Sequence, residues 1–336
     1  MLTSRATALL CLATTCVRAA PLPAQRGAPR CAAEGDAETV ARLARDVRYL
    51  ADDAREGREA GSAGFDDAAA YVVARLALPG VEAAGAQGFL QPLSSRCPRR
   101  GGASDGRAVR TANVLARVRG ASPDGLAVLV GAHLDHVGRG ARGSRSGSHD
   151  IHNGADDNAS GAAVVLELAR RLSARPAARD VVLAWFGAEE SGLHGSTHLA
   201  THPVEATRSL AAMVNFDMVG RLRDCRVVVE GWESAPGMPQ ALRRANAPFG
   251  FDLRPWDRRL GSWGSSDHMS FASRGTPYVF FFTGLHGEYH TERDDPETLN
   301  LPGAAALTDL AERAIREVAS MPAASLRRAR RRAGRR

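Results

Sequence analysis

The stretch IHNGADDNASG, residues 151–161, sets Asp156 and Asp157 side by side among small residues, just ahead of a run with helical spacing. Adjacent carboxylates repel one another and are costly to desolvate, so a fold that places them together needs a positive charge to hold them. More acids and histidines stand in comparable places: His133 and Asp135 in HLDH, Glu189 and Glu190 in WFGAEE, Asp217 in NFD, and His290 in YHTERDDPETL. Each alone has an ordinary explanation. Asp157 can cap a helix, Glu190 can be a solvated loop acid, and His290 can be a hydrogen-bonded histidine. Together, separate segments offering His, Asp, Glu, Asp and His imply a bound cation. Hard and borderline ligands in this mixture suit zinc, with cobalt or manganese as alternatives.

The elements that must position these groups follow from periodicity. Val40, Leu43, Val47 and Leu50 recur at helical spacing, and residues 65–78 give a second amphipathic segment. The polar, glycine-rich DDAREGREAGSAG between them is a loop. ANVLARVRG and GLAVLVGAHLDH are strands, the second apolar enough to be buried on both faces. From there the pattern alternates: a helix over 157–172, a strand over 180–186, a short helix over 195–200 and a strand over 210–217. The strand PYVFFFTG and a long helix over 304–321 close the chain. Such alternation predicts a single three-layer α/β/α domain with a mixed, largely parallel central sheet, and functional groups then gather at the carboxyl ends of its strands. Residues two apart on extended backbone point the same way, so Asp135 is placed to orient the His133 ring. Residues 231–275 read as irregular, with Trp232, Trp256 and Trp263 either lining a substrate pocket or simply packing.

The N-terminus begins MLTSR, continues through an apolar run to Val17 and reaches Ala19 and Ala20. This is a secretory signal pattern, too short to span a bilayer, and it predicts a secreted or periplasmic protein. A buried helix or a retained anchor is the alternative. Beyond the signal, Cys31, Cys97 and Cys225 remain, and a Cys97–Cys225 bridge fits an oxidising compartment. The formal charge of +7 equals the seven arginines between Arg327 and Arg336, so the basicity belongs to a tail and no nucleic-acid partner is implied. That tail suits a solvated end or contact with an anionic envelope surface.

HLDH, NGADDNASG, FGAEESGLHGS, NFDMVGR, SSDHMSF and YHTERDDPETL, in this order, resemble the two-zinc metallo-aminopeptidases of metallopeptidase family twenty-eight, which include secreted bacterial leucyl-type enzymes. EGREAGSAG also resembles that family's N-terminal segment, and the likeness runs from about Tyr49 to about Leu301. The resemblance implies a zinc-exopeptidase-like fold with two zinc ions per chain. It implies that His133 and Asp217 bind one ion, Glu190 and His290 the other, and that Asp156 bridges both. Glu189 would be the general base acting on a metal-bridging hydroxide, with Tyr289 or His268 contacting substrate, and Asp135 stands beside it among the catalytic residues through its hold on the His133 ring. Asp267 stays unassigned. The implied reaction is hydrolysis of the N-terminal peptide bond of peptides with a free N-terminus. A carboxypeptidase or dipeptidase on the same scaffold, or a non-catalytic envelope binding module, is the alternative. The chain then divides into a signal peptide (1–20), a disordered linker (21–35), a catalytic domain (36–322) and a basic disordered tail (323–336).

Overall fold

The computed structural model describes residues 35–95, 108–140, 143–255 and 266–326. The expected signal peptide, nearly all of the linker, Cys31, Cys97, Trp256, Trp263 and the arginine run lie outside these residues. Cys225 is disulfide-bonded.

Among the described residues one sheet holds nine strands: β1 (Val81–Ala83), β2 (Leu90–Ser95), β3 (Val109–Val118), β4 (Ala127–His133), β5 (Asp180–Phe186), β6 (Leu210–Phe216), β7 (Arg226–Glu230), β8 (Asp252–Pro255) and β9 (Tyr278–Phe282). Their order is β1-β3-β5-β4-β6-β9-β7-β8, with β2 also pairing with β3. The centre, β5-β4-β6-β9, is parallel. The flanks join it antiparallel through β3 and β7, and β7 and β8 pair in parallel. All seven residues of β4 are buried, as an apolar strand covered on both faces requires.

Side-chain alternation along the strands divides the core in two. Val128, Val130, Ala132, Val214 and Phe216 face helices α1 (Ala37–Leu50), α2 (Ala63–Arg75), α3 (Gly161–Ala174), α5 (Met238–Asn246) and α7 (Leu301–Ala319). Leu129, Val182, Ala184 and Met213 face α4 (His194–Thr201) and α6 (His268–Ala272) through Leu199 and Phe271. This is the expected three-layer sandwich. Helix starts are set by side chains that accept otherwise orphaned amide protons: Asp36 from Thr39, Ser62 from Phe65 and Asn300 from Gly303.

Four expectations need correction. Residues 231–275 are not wholly irregular, because α5 buries Met238, Ala241, Leu242 and Ala245 on one stripe, and Trp232 packs against the core. Helix α3 starts at Gly161 rather than Asp157, since Asp157 (φ −105°, ψ 90°) and Asn158 (φ −135°, ψ 43°) are not helical. The polar segment after α1, expected as a loop, contains a 3₁₀ helix over Asp53–Arg58 and carries a fully buried side chain, Arg58. The ordered chain also continues past residue 322 into α8 (Ala323–Leu326), where Leu326 is buried.

Candidate metal centre

The parallel strands end side by side, and the chemistry gathers at their carboxyl ends. His133 is the last residue of β4, in register with Phe186 of β5, three residues before Glu189. Asp217 directly follows β6, and His290 lies in the loop after β9.

Asp157 stands at the middle. Its Oδ1 is 3.2 Å from His133 Nε2, and its Oδ2 is 2.9 Å from His290 Nε2. His133 Nε2 also lies 3.3 Å from Asp217 Oδ1, while His290 Nε2 lies 3.2 Å from Glu190 Oε1. A further imidazole joins the second group: His136 Nδ1 is 2.9 Å from Glu190 Oε1 and 3.8 Å from Asp157 Oδ2. Two sets of inward-facing atoms result, His133–Asp157–Asp217 and His136–Asp157–Glu190–His290, each within 4.8 Å of one another. Asp157 belongs to both.

Asp156, expected at that shared position, faces the other way. Its Oδ1 accepts from the Gly220 amide at 2.7 Å and the Ser160 hydroxyl at 3.0 Å, and its Oδ2 is 3.2 Å from His286 Nε2. Gly154 is left-handed (φ 58°) and the Asp157–Asn158 peptide is cis. The turn between β4 and α3 presents the second acid of the pair to the centre. Beneath it Asp294 accepts from the amides of both Asp156 (3.1 Å) and Asp157 (3.0 Å).

The remaining predicted residues separate. Asp135 does orient His133, but through its main-chain carbonyl, 3.1 Å from Nδ1. Its carboxylate instead accepts from the Glu189 and Glu190 amides at 3.0 and 3.3 Å, which fixes the loop that carries both acids. His290 Nδ1 is 3.0 Å from the Gly143 carbonyl, so in both rings the outer nitrogen faces a carbonyl and Nε2 faces inward. Glu189 and Tyr289 line a cavity of about 80 Å³ with His133, Asp157, Asp217 and His290, walled by Met218, Phe280, Phe282 and Leu285. His268 does not reach it. Its ring is stacked between Tyr278 and Phe280, with centroids 4.9 and 4.5 Å away, and burial pushes it down to about 3.

The charges fit a cation. Asp135, Asp157, Glu189, Glu190, Asp217 and Asp267 crowd the region, and burial acts to raise every one of them. In Asp157 that effect is outweighed by hydrogen bonds from His133 and His290, which hold the carboxyl well below its ordinary range. Glu189 has no such hydrogen bond among the described residues and is pushed well above its ordinary value by burial. The buried guanidinium of Arg58 donates to the carbonyls of Leu50, Leu134, Asn153 and Gly154 rather than to any of these acids. So many desolvated acids, with imidazoles as their direct counterparts, have the composition of a site for divalent ions.

Sequence reasoning found the segments that meet here but passed over His136, Arg58 and Asp294, and it set Asp156 rather than Asp157 where the two clusters meet. The signals were the fourth residue of HLDH, the second acid of ADDN, and the polar loop and DDP motifs.

A sheet whose parallel strands converge on a metal-type cluster, with a free acid in the adjoining cavity, is the arrangement of a metal-dependent hydrolase. Comparison with known sequences carries this to a family. Peptidase family M28 matches residues 113–315, and the chain belongs to it. An aminopeptidase of Pseudomonas aeruginosa is 33% identical over 183 residues, 53% of this chain and 32% of the relative. The chain thus matches about a third of that relative's length. A leucine aminopeptidase precursor from Bacteroides thetaiotaomicron shares the fold at a TM-score of 0.66 and 16% identity, covering 82% of this chain and 96% of that one. A glutaminyl cyclase of Porphyromonas gingivalis shares it at a TM-score of 0.64 and 21% identity, covering 82% and 97%. The fold by itself therefore leaves the reaction open, and the residues of the site must decide it.

Proposed function

We propose that the chain is a two-zinc aminopeptidase that removes the N-terminal residue of peptides, with His133, Asp157 and Asp217 holding one ion, Glu190 and His290 the other, and Asp157 shared. The observation that carries this reading is the opposed placement of the two Asp157 oxygens, one toward each histidine. Two divalent ions so placed would polarise the scissile carbonyl and acidify a water between them.

The chain's own groups account for the rest. Glu189 lines the cavity beside His133 and Asp217 without belonging to either ligand set, so it is available to take a proton from water and return it to the leaving amine. Tyr289, on the opposite loop, offers a hydroxyl to the carbonyl oxygen as negative charge develops there. The apolar wall of Met218, Phe280, Phe282 and Leu285 suits a hydrophobic side chain. No arginine lines this cavity among the described residues, whereas a carboxypeptidase would need one for the substrate's terminal carboxylate.

Export to the periplasm or medium is part of this proposal and rests on the N-terminal sequence. Among the described residues no helix is long and apolar enough to cross a membrane. The test is metal analysis together with hydrolysis of aminoacyl anilides and of matched peptides with free and blocked amines. Two zinc ions per chain and cleavage of free-amine substrates alone are expected. Equal cleavage of amine-blocked peptides would overturn the assignment.

A further inference from the structure

We propose that His136 binds, through Nδ1, the ion assigned to Glu190 and His290, giving that ion four protein ligands while its neighbour has three. This rests on the two-ion reading above and adds to it a ligand and an inequality between the sites.

The geometry points to coordination rather than to a simple hydrogen bond. Four atoms ~2.0–2.1 Å from one zinc in tetrahedral array are separated from each other by roughly 3.3 Å. The observed separations are 2.9 Å (His136 Nδ1 to Glu190 Oε1), 3.8 Å (His136 Nδ1 to Asp157 Oδ2), 2.9 Å (His290 Nε2 to Asp157 Oδ2) and 3.2 Å (His290 Nε2 to Glu190 Oε1). They scatter about the tetrahedral edge. An imidazole serving only as donor to Glu190 would have no reason to keep Nδ1 facing Asp157 as well, at a distance too long for a hydrogen bond. The two rings stand at 83° to each other with centroids 5.4 Å apart, as two ligands converging on one point do.

The ring is also built into place. A Cβ at Gly154 would meet the Asp157 carbonyl oxygen first and then, at 2.5 Å, Cγ and Cδ2 of His136, so the glycine leaves room for both the turn and the imidazole packed on it. The His136 amide donates to the Arg58 carbonyl at 3.2 Å, which anchors the backbone on the other side. Nε2 is buried and has no hydrogen-bond partner among the described residues. When Nδ1 carries the ion, Nε2 carries the proton, and that proton is shielded from solvent.

The consequence is functional. An ion with four protein ligands takes the shared water only as a fifth, whereas one with three keeps an ordinary fourth position for water or substrate. The ion on His136, Glu190, His290 and Asp157 is therefore the tightly held one. The ion on His133, Asp217 and Asp157 is the open and more readily exchanged one.

The experiment loads metal-free protein with cobalt(II) and counts hyperfine-shifted, exchangeable imidazole N–H resonances by proton NMR. Three are expected in the wild type, from His133, His136 and His290, the His136 proton exchanging most slowly with deuterium. In His136→Gln two remain, and chelator competition shows the tighter of the two zinc ions weakened by more than about tenfold. Two resonances in the wild type would overturn the inference while leaving the two-ion reading intact, and that count needs no variant to fold. A variant holding both zinc ions as tightly as the wild type would also overturn it. Fewer than two zinc ions in the wild type would overturn the underlying reading, and this inference with it.

Discussion

Asp157 Oδ2 lies 2.9 Å from His290 Nε2, while the same carboxylate turns its other oxygen to His133. A carboxylate so placed couples two ligand sets carried by strands β4 and β6 on one side and by the loops after β5 and β9 on the other. Removing it should disconnect both, which distinguishes it from an acid serving either set alone.

Asp157→Asn should therefore lose both ions and reduce kcat/KM on the order of a thousandfold, about 4 kcal/mol of transition-state stabilisation. Asp156→Asn keeps an oxygen to accept from Gly220 and Ser160 and should retain near wild-type metal content. Plasma mass spectrometry of both dialysed variants checks this. Equal metal loss from the two would contradict the orientation of the turn.

Glu189→Gln should keep both ions, since Glu189 belongs to neither ligand set, and should lower kcat by roughly 10²–10⁴-fold through loss of the proton carrier. Initial rates on an aminoacyl anilide, paired with metal content, are the measurement. A variant that turns over at the wild-type rate would remove Glu189 from the chemistry.

What the sequence made legible follows from what periodicity encodes. The central strands announce themselves as apolar runs, and their ends locate His133, Glu189, Glu190, Asp217 and His290 before any coordinates. The outlying strands β1, β2 and β8, and β7 just inside β8, are short and partly exposed, so their patterns are weak. Helix α5 was legible in Met238, Ala241, Leu242 and Ala245 but was masked by the glycines and tryptophans around it. The choice between Asp156 and Asp157 was hidden for a different reason. The neighbours are chemically identical, and only the non-helical turn from Gly154 to Ser160 decides which faces inward. Asp135 shows the same limit, because strand alternation placed it beside His133 while its carbonyl, not its carboxylate, makes the contact. His268 follows a plausible motif yet packs behind Phe280, a fact that depends on how α6 meets β9.

Metal should also support the fold. Ligands that bind only the native state stabilise it by RT ln(1 + [L]/Kd), about 4 kcal/mol at a free concentration a thousand times Kd. With roughly 2–4 °C per kcal/mol in a domain of this size, zinc should raise the melting temperature by about 10 °C over chelated protein. Calorimetry with and without a chelator tests it, and an unchanged transition would mean that the buried acids are reconciled without ions.

A second stability device lies far from the site, on α3. Glu167 is 2% exposed and is met by Arg170 at 2.7 Å, Arg171 at 2.8 Å and Arg42 at 2.8 Å. Burial pushes its carboxyl up, but the hydrogen bonds from Arg170, Arg42 and Arg171 outweigh this and hold it at about 2. The folded value is thus below the unfolded one of about 4.3, so the carboxylate's contribution is full above pH ~4.3 and is lost as pH falls toward 2. Its size is on the order of 3 kcal/mol. Urea denaturation of wild type and Glu167→Gln should show a wide stability gap at pH 6 that narrows steadily between pH 4 and pH 2. A gap independent of pH would mean that Glu167 holds the arginines by packing rather than by charge, because only an ionised partner loses its advantage on protonation.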